Sequence, residues 1–297
     1  MIFCSAEADA RGDSMIGTAP PQSRVLLIHQ PGPWGPRGLL ESRCDPIVAK
    51  RLDIAGARAG MRLQAIRRPG EHGDGVPGGG YHVGIAAGAQ VRWWRTNDLA
   101  DFAGELEAGL LRPPSTIDTV PLFLVCTHGR HDPCCALRGR PLVEALDRAR
   151  PGCAWETTHL GGDRFAANVL VLPSGVLYGR VPASAASSLA DCADDGRLLM
   201  AHQRGRIGLP PIAQAALVYA HETLSIDTVD AFALETLERV DENTANVCLS
   251  APFGYVNVTI LAETRSPAQL TCRGVRPAAA REYRGAAITV SETRPHV

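Results

Sequence analysis

Apolar and polar positions follow the same order of blocks twice between residues 21 and 225. Short apolar runs predict buried strands, and stripes with a period near 3.6 residues predict helices. The first set predicts a strand at 25–29, a helix at 42–56, a strand at 62–67, paired strands at 81–87 and 91–96, and a helix from 97 or 98 to about 111. The second set predicts a strand at 122–127, a helix at 134–150, a strand at 154–158, a hairpin of 168–172 and 176–180, and a helix at 184–196. The repetition predicts two halves built on one plan.

The remaining segments do not follow this plan. Residues 1–20 are polar and rich in small side chains, which predicts a partly loose arm. The glycine-rich stretch at 69–80 predicts a flexible loop. After Pro210 and Pro211 the pattern predicts helices at 212–224 and 230–240, then strands at 246–249, 255–261, 269–272 and 287–290.

The repeated order of elements is that of the thioredoxin-like plan, in which helices cover both faces of a central sheet. We therefore predict an α/β protein with two thioredoxin-like subdomains in tandem and a small C-terminal α+β appendage. Pro113 and Pro114 interrupt the chain between the halves. The predicted units are a loose N-terminal arm at 1–20, a first half at 21–116 that serves as scaffold, a second half at 117–225, and the appendage at 226–297.

Composition narrows the class of protein. With 45% hydrophobic and 21% charged residues among 297, the chain is typical of a globular protein. A formal net charge of -1 gives no electrostatic reason to expect a nucleic-acid partner. Because no apolar run reaches the ~18 residues of a membrane span and the N-terminus lacks signal-peptide features, we expect a cytoplasmic protein without a membrane partner. Nine cysteines, an odd number, favour reduced thiols over a disulfide framework.

Thiols, an imidazole and a carboxylate concentrate in two turns of the second half. Cys126 ends an apolar strand, and Cys134 and Cys135 follow eight and nine residues later. His159 ends the next predicted strand, and Asp163 lies four residues beyond it. Thiolate and imidazole ligands together favour zinc, an iron–sulfur cluster or copper. Zinc sites usually use closer cysteine pairs, so the open spacing favours a 2Fe-2S cluster, which takes two protein ligands at each iron.

Each of these residues also has a simpler interpretation. Cys134 and Cys135 could start a helix that lowers a thiol pKa and so supply a redox-active thiol. His159 could be a structural histidine, and Asp163 could pair with Arg164 or cap a turn. A buried cysteine is commonly just a small hydrophobic residue. On that ground the other cysteines are interpreted as inert: Cys4, Cys44, Cys153, Cys192, Cys248 and Cys272.

The segments around the candidate ligands resemble the sucrase/ferredoxin-like family, a branch of the thioredoxin-like ferredoxins. The similarity covers about residues 16–220. It rests on GTAPP and VLLIHQPGPWG within 17–35, CTHGRHDPCCALRGRPL at 126–142, and HLGGDRFAANVLVLPSGVLYGRV at 159–181. The resemblance implies a 2Fe-2S protein that transfers electrons to or from a redox partner protein, and it leaves a homodimer open. No pair of carboxylates in a sugar-binding context supports glycoside hydrolysis.

The resemblance also implies a ligand set. Cys126, Cys135 and His159 are the expected ligands, and Cys134 and Asp163 compete for the fourth position. Relatives with two imidazole ligands carry histidine where this chain has Asp163, so its carboxylate would be an unusual oxygen ligand. Redox sensing through the same cluster stays open as an alternative to electron transfer. Two further functions also stay open: a thiol-dependent oxidoreductase that uses Cys134 or Cys135, although the chain has no Cys-X-X-Cys motif, and a zinc-binding or degenerate module without redox activity.

Overall fold

The computed structural model describes residues 3–73 and 79–293. Residues 74–78 of the predicted glycine-rich loop lie outside the described residues. The α-helices are α1 (Cys4–Ala10), α2 (Pro46–Arg58), α3 (Leu99–Ala108), α4 (Pro133–Ala149), α5 (Ala186–Asp194) and α6 (Pro211–Leu224). The strands of a large sheet are β1 (Arg24–His29), β2 (Met61–Arg67), β3 (Tyr81–Ala87), β4 (Gln90–Thr96), β5 (Thr116–Asp118), β6 (Leu122–Cys126), β7 (Ala154–Thr157), β8 (Val169–Leu172), β9 (Val176–Tyr178) and β10 (Gln203–Arg206). The strands of a second sheet are β11 (Ala233–Arg239), β12 (Thr244–Ala251), β13 (Gly254–Thr264) and β14 (Arg281–Ser291).

The large sheet runs in the order β10-β9-β8-β6-β7-β2-β1-β3-β4-β5. Within it, β4-β3-β1-β2 and β9-β8-β6-β7 repeat one arrangement. In each set the two strands joined by a long helix, α2 or α4, are parallel, and the hairpin strands are antiparallel. The sets meet where β2 and β7 pair antiparallel, with Ile66 opposite Thr157 and Arg67 opposite Glu156. The mixed α/β class is thus confirmed, and the division into two thioredoxin-like subdomains stays a prediction.

Strand β6 shows how the sequence assigns residues to the two faces of the sheet. Phe123 and Val125 lie in the hydrophobic core beneath α4 and α5. Leu122, Leu124 and Cys126 belong to the core on the opposite face. This alternation follows from the two-residue period of a strand. It places the Cys126 sulfur at the carboxyl end of β6, on the face away from the body of α4.

The second sheet runs in the order β11-β12-β13-β14 and is wholly antiparallel. Helix α6 packs against it through Ala216 and Ala220, which are fully buried. With 14 residues, α6 is shorter than the ~20 that cross a bilayer. None of the helices in the described residues combines the length and apolar character of a membrane-spanning segment.

Three sequence predictions are wrong. Residues 230–240 do not form a helix: residues 233–239 form strand β11, in which Leu234 pairs with Leu249 and Leu237 with Val247 of β12. Tertiary pairing here overrides the helical preference of leucine and glutamate. Residues 269–272 do not form a strand: they are irregular and lead into a turn at Cys272. The predicted loose arm contains α1, whose inner face is buried in the core.

Candidate metal centre

The first cluster segment lies between β6 and α4. Asp132 caps α4, because its Oδ1 accepts a hydrogen bond from the Cys134 amide over 2.9 Å. Pro133 follows at the first helical position, where no amide hydrogen is needed. The Asp-Pro pair thereby sets the start of α4 and places Cys134 and Cys135 in its first turn.

The second cluster segment follows β7. His159 lies just beyond the end of the strand, and Asp163 opens a short 3-10 turn. Gly161 and Gly162 between them have positive φ values of 94° and 71°. L-residues with side chains rarely adopt such angles, so the two glycines permit the reversal that brings Asp163 back towards His159.

The two segments converge. The sulfurs of Cys126 and Cys135 and a ring nitrogen of His159 all lie within 4.8 Å of one another. Both cysteines are buried, and 23% of the His159 side chain is exposed. The structure therefore brings three of the five predicted site residues together as potential ligands.

Asp163 lies beside this group. Its Oδ1 accepts a hydrogen bond from the Cys135 thiol over 3.2 Å and lies 2.9 Å from His159 Nδ1. The Nδ1 atom is buried, and the Asp163 carboxylate is its ion-pair partner. An imidazole beside two sulfurs and a carboxylate offers a mixed set of donors of the kind that binds a transition metal.

Mutual contacts shift the pKa values within the site. Contact with the Cys135 thiol, together with His159, holds the pKa of Cys126 well below its ordinary value despite burial. The same contact with Cys126, reinforced by burial, raises the pKa of Cys135. Burial lowers the pKa of His159, but Asp163 and Cys126 outweigh it and raise that pKa to about 9. Burial raises the pKa of Asp163, but the ion pair with His159 outweighs it and lowers that pKa. The site thus favours anionic sulfur and oxygen beside one cation.

Cys134 lies apart from these residues. Successive residues on a helix point about 100° apart, so Cys134 and Cys135 diverge. The Cys134 sulfur lies 3.6 Å from that of Cys4 and 3.3 Å from that of Cys272. Of the two residues predicted to compete for the fourth position, Asp163 is therefore the one beside Cys126, Cys135 and His159. Cys4 and Cys272, interpreted from the sequence as inert, both contact Cys134, and their inertness stays a prediction.

Arginines that the sequence reasoning missed support the His159 segment. Arg204, on β10, is 1% exposed, and it donates to the Gly161 carbonyl and to Asn168 Oδ1 over 2.8 Å each. Burial lowers its pKa to about 9, so the guanidinium stays charged at neutral pH. Arg62 donates to the His159 carbonyl over 2.8 Å. No motif in the sequence links these arginines to the site, because they come from strands distant from it in the chain.

Two further histidines line the site, and a ring nitrogen of His131 lies within 4.8 Å of donor atoms of His159 and Asp163. His128 Nε2 donates to the Gly35 carbonyl over 2.7 Å, and its Nδ1 accepts from the His159 amide over 3.3 Å. These bonds define one neutral tautomer, and burial lowers the pKa of His128 accordingly. The His131 ring stacks on the His159 ring with centroids 3.9 Å apart. His128 thus positions the His159 backbone, and His131 covers its ring.

The model of the sucrase/ferredoxin-like family matches residues 15–205. The chain belongs to this family. Among solved structures, a thioredoxin-like 2Fe-2S ferredoxin from Aquifex aeolicus matches 31% of this family member and 96% of its own chain, with 22% identity and a TM-score of 0.27.

Among curated proteins, the family member is similar to two chorismate synthases. That of Thiobacillus denitrificans is 30% identical over 139 residues, which cover 42% of this chain and 36% of the relative. That of Erythrobacter litoralis is 34% identical over 107 residues, which cover 36% and 24% respectively. The chain therefore spans only about a quarter to a third of the curated relatives that it matches.

Proposed function

We propose that this protein is an electron carrier with a 2Fe-2S cluster held by Cys126, Cys135 and His159, with Asp163 at the fourth position. The observation that carries the proposal is the convergence of two thiols and an imidazole from separate loops within 4.8 Å. Sulfur and imidazole are the donors that suit iron–sulfur clusters with mixed ligands.

The residues fit such a group. Two sulfurs come from the β6–α4 segment, and an imidazole and a carboxylate come from the segment after β7. A ring nitrogen of His159 lies within 4.8 Å of both sulfurs, so the imidazole and the two thiolates could bind one metal centre together. The bound cluster would supply reversible one-electron transfer.

The surrounding residues control charge and access. Arg62 and Arg204 place positive charge around the His159 segment, which favours the more negative reduced state and so raises the potential. His159 and His131, with 23% and 37% of their side chains exposed, form the accessible edge of the site. We infer that a redox partner protein approaches this edge, because the sulfur atoms themselves are buried.

The repeated strand order supports the finer fold proposal as well. Two sets of four strands with the same order and the same parallel pair are what two thioredoxin-like subdomains in tandem require. The site then lies at the carboxyl ends of β6 and β7, the edge where α/β sheets commonly carry function.

A thiol-dependent oxidoreductase is less consistent with the structure. Cys134 and Cys135 are both fully buried, so a substrate disulfide or peroxide has no direct approach to either sulfur. A reactive cysteine normally combines a low pKa with partial exposure. Cys134 meets only the first condition, since hydrogen bonding from Cys4 lowers its pKa to about 6.

Metal and sulfide analysis tests the proposal. Protein purified anaerobically from cells with ample iron should be brown, contain about two irons and two sulfides per chain, and bleach on reduction. The reduced protein should give an electron paramagnetic resonance signal of a 2Fe-2S cluster. A colourless preparation without iron and sulfide would refute the electron-carrier assignment. Zinc bound in place of iron by Cys126, Cys135 and His159 would favour the zinc-binding alternative.

A further inference from the structure

A second group of thiols lies on the other side of the α4 N-terminus. The sulfur of Cys134 is 3.6 Å from that of Cys4 and 3.3 Å from that of Cys272, and the remaining pair is 3.4 Å apart. Cys4 and Cys134 are buried, and Cys272 is partly buried. The three residues are separated by 130 and 138 positions in the chain, so the fold, not sequence proximity, brings them together.

A carboxylate completes this group. Asp132 is fully buried, and its Oδ2 lies 3.8 Å from the Cys4 sulfur and accepts a hydrogen bond from the Cys272 amide over 2.6 Å. Its Oδ1 meanwhile caps α4. The three sulfurs and a carboxylate oxygen of Asp132 all lie within 4.8 Å of one another. One buried residue thus connects the helix, the N-terminal segment and the loop between β13 and β14.

We propose that Cys4, Cys134, Cys272 and Asp132 form a tetrahedral zinc site. Zinc–sulfur bonds of about 2.3 Å in a tetrahedron place sulfurs about 3.8 Å apart. The observed sulfur–sulfur separations of 3.3–3.6 Å are close to that distance for all three pairs. Because four protein donors close the coordination sphere, the site has the form of a structural zinc site and not a catalytic one.

Other uses of the three sulfurs fit the geometry less well. A disulfide joins two sulfurs and would leave the third buried without a comparable partner. Three neutral thiols in mutual contact would gain only weak hydrogen bonds. A divalent cation instead stabilises three thiolates together and explains why each of the three contacts both others.

Hydrogen bonds to the sulfurs also support a zinc site. Ser5 Oγ donates to the Cys134 sulfur over 3.3 Å, and the Cys4 amide donates to the Cys272 sulfur over 3.3 Å. Donors of this kind orient metal-bound thiolates and stabilise their negative charge. The site would fasten α1 and the β13–β14 loop to the start of α4.

This inference does not rest on the proposed electron transfer. The zinc group and the cluster group share no donor residue, although Cys134 and Cys135 are adjacent. Iron can therefore be lost or kept independently of zinc, and the two metals report on the two proposals separately.

The test measures zinc and iron in the full chain by mass spectrometry after purification under reducing, anaerobic conditions. We expect about one zinc per chain, since one ion takes all four donors. Cys272→Ser should lower zinc affinity at least ~10-fold while iron content and the visible spectrum stay unchanged. Cys192→Ser, on α5 and outside both groups, is the matched control and should keep its zinc.

A second measurement covers the case in which Cys272→Ser does not fold. Cobalt added to the Cys126→Ser variant should give thiolate charge-transfer absorption and the intense visible bands of tetrahedral cobalt. Combining Cys126→Ser with Cys4→Ser should reduce those bands. Zinc absent from the wild-type chain after zinc supply, zinc unaffected by Cys272→Ser, iron in place of zinc, or a Cys4–Cys134 or Cys134–Cys272 disulfide would each overturn the proposal.

Discussion

The two halves of the large sheet share a strand order but differ in the loop after their first strand. In the first half, the loop after β1 carries prolines and the buried Trp34. In the second half, β6 ends in Cys126, and the loop after it carries His128 and the capping residue Asp132. The same backbone plan therefore supports apolar packing in one half and potential metal ligands in the other.

The first loop nevertheless contributes to the site of the second half. The Gly35 carbonyl accepts from His128, and the Pro36 carbonyl lies 3.3 Å from His131 Nδ1. Trp34 packs edge-on against His128, with ring centroids 6.0 Å apart. The first half thus contributes to the site without supplying a potential ligand, because its loop contacts the histidines of the second half.

The largest effect on iron binding should come from removing a cysteine ligand of the second half. A cysteine of the first half serves as the matched control. Cys126→Ser should abolish iron binding and visible absorption, since it removes a thiolate at the centre of the site. Cys44→Ser is the control: Cys44 is buried before the cap of α2, and burial raises its pKa to about 11. Measuring the iron content of both variants shows whether iron binding depends on Cys126 alone of these two cysteines. Equal iron contents in the two variants would contradict the proposal that only the second half binds the cluster.

Removing Asp163 should have the next largest effect on the site. If the carboxylate occupies the fourth position, Asp163→Ala should lose most of its iron, because the cluster loses one of its four protein donors. Asp147→Ala is the control and should retain its iron, since Asp147 is half-buried near the end of α4 and accepts a hydrogen bond from the Gly152 amide. Iron per chain and the spectrum of the purified variants measure this. Full iron with only a modest shift in potential would place Asp163 outside the ligand set.

The junction between the halves should be sensitive to charge. Arg67 Nη2 lies 2.5 Å and its Nε 2.7 Å from Glu156 Oε2, with both side chains buried. Glu156→Gln leaves the guanidinium buried without a countercharge, which should cost about 3–5 kcal/mol of unfolding free energy. Denaturant titration measures this loss. Adding Arg67→Met should recover part of it.

An exposed ion pair provides the control for the junction. Arg51 and Glu107 join α2 and α3 over 2.7 Å, each with 37% of its side chain exposed. Glu107→Gln should leave the denaturation midpoint nearly unchanged, because solvent screens such pairs. If Glu156→Gln were equally mild, β2 and β7 would not depend on this ion pair.

Much of the scaffold could be predicted from local patterns, and the contacts between distant segments could not. The apolar run before Cys126 and the Asp132-Pro133 pair locate β6 and the start of α4 from a few residues each. Convergence of Cys126 and His159 follows because the carboxyl ends of neighbouring parallel strands meet at one edge. The contact between Cys4 and Cys272 spans 268 positions and leaves no periodic signal. Strand β11 is unpredictable from local pattern for a related reason, since only its pairing with β12 distinguishes it from a helix.

The two glycines of the His159 segment offer a finer comparison within the second half. A Cβ at Gly162 would lie 2.6 Å from Arg204 Nη2, whereas one at Gly161 would meet nothing within 4 Å. Both positions have positive φ, so alanine is strained at either. Gly162→Ala should therefore destabilise the protein by about 1–3 kcal/mol more than Gly161→Ala. Denaturation midpoints of the two variants check this. Equal midpoints would show that the Arg204 side chain can move away from the added methyl group without loss of stability.

The smallest structural change replaces one type of metal ligand by another and removes none. His159→Cys keeps a donor at the end of β7, so the variant should still bind a cluster and stay coloured. Its reduction potential should fall, because a thiolate carries more negative charge than an imidazole. His131→Gln is the control, since His131 stacks on His159 without belonging to the group of Cys126, Cys135 and His159; it should keep the imidazole ligand and shift the potential less. Redox titration followed by visible absorption measures both variants. An unchanged potential in His159→Cys would remove His159 from the ligand set, and the second half would then differ from the first by its thiols alone.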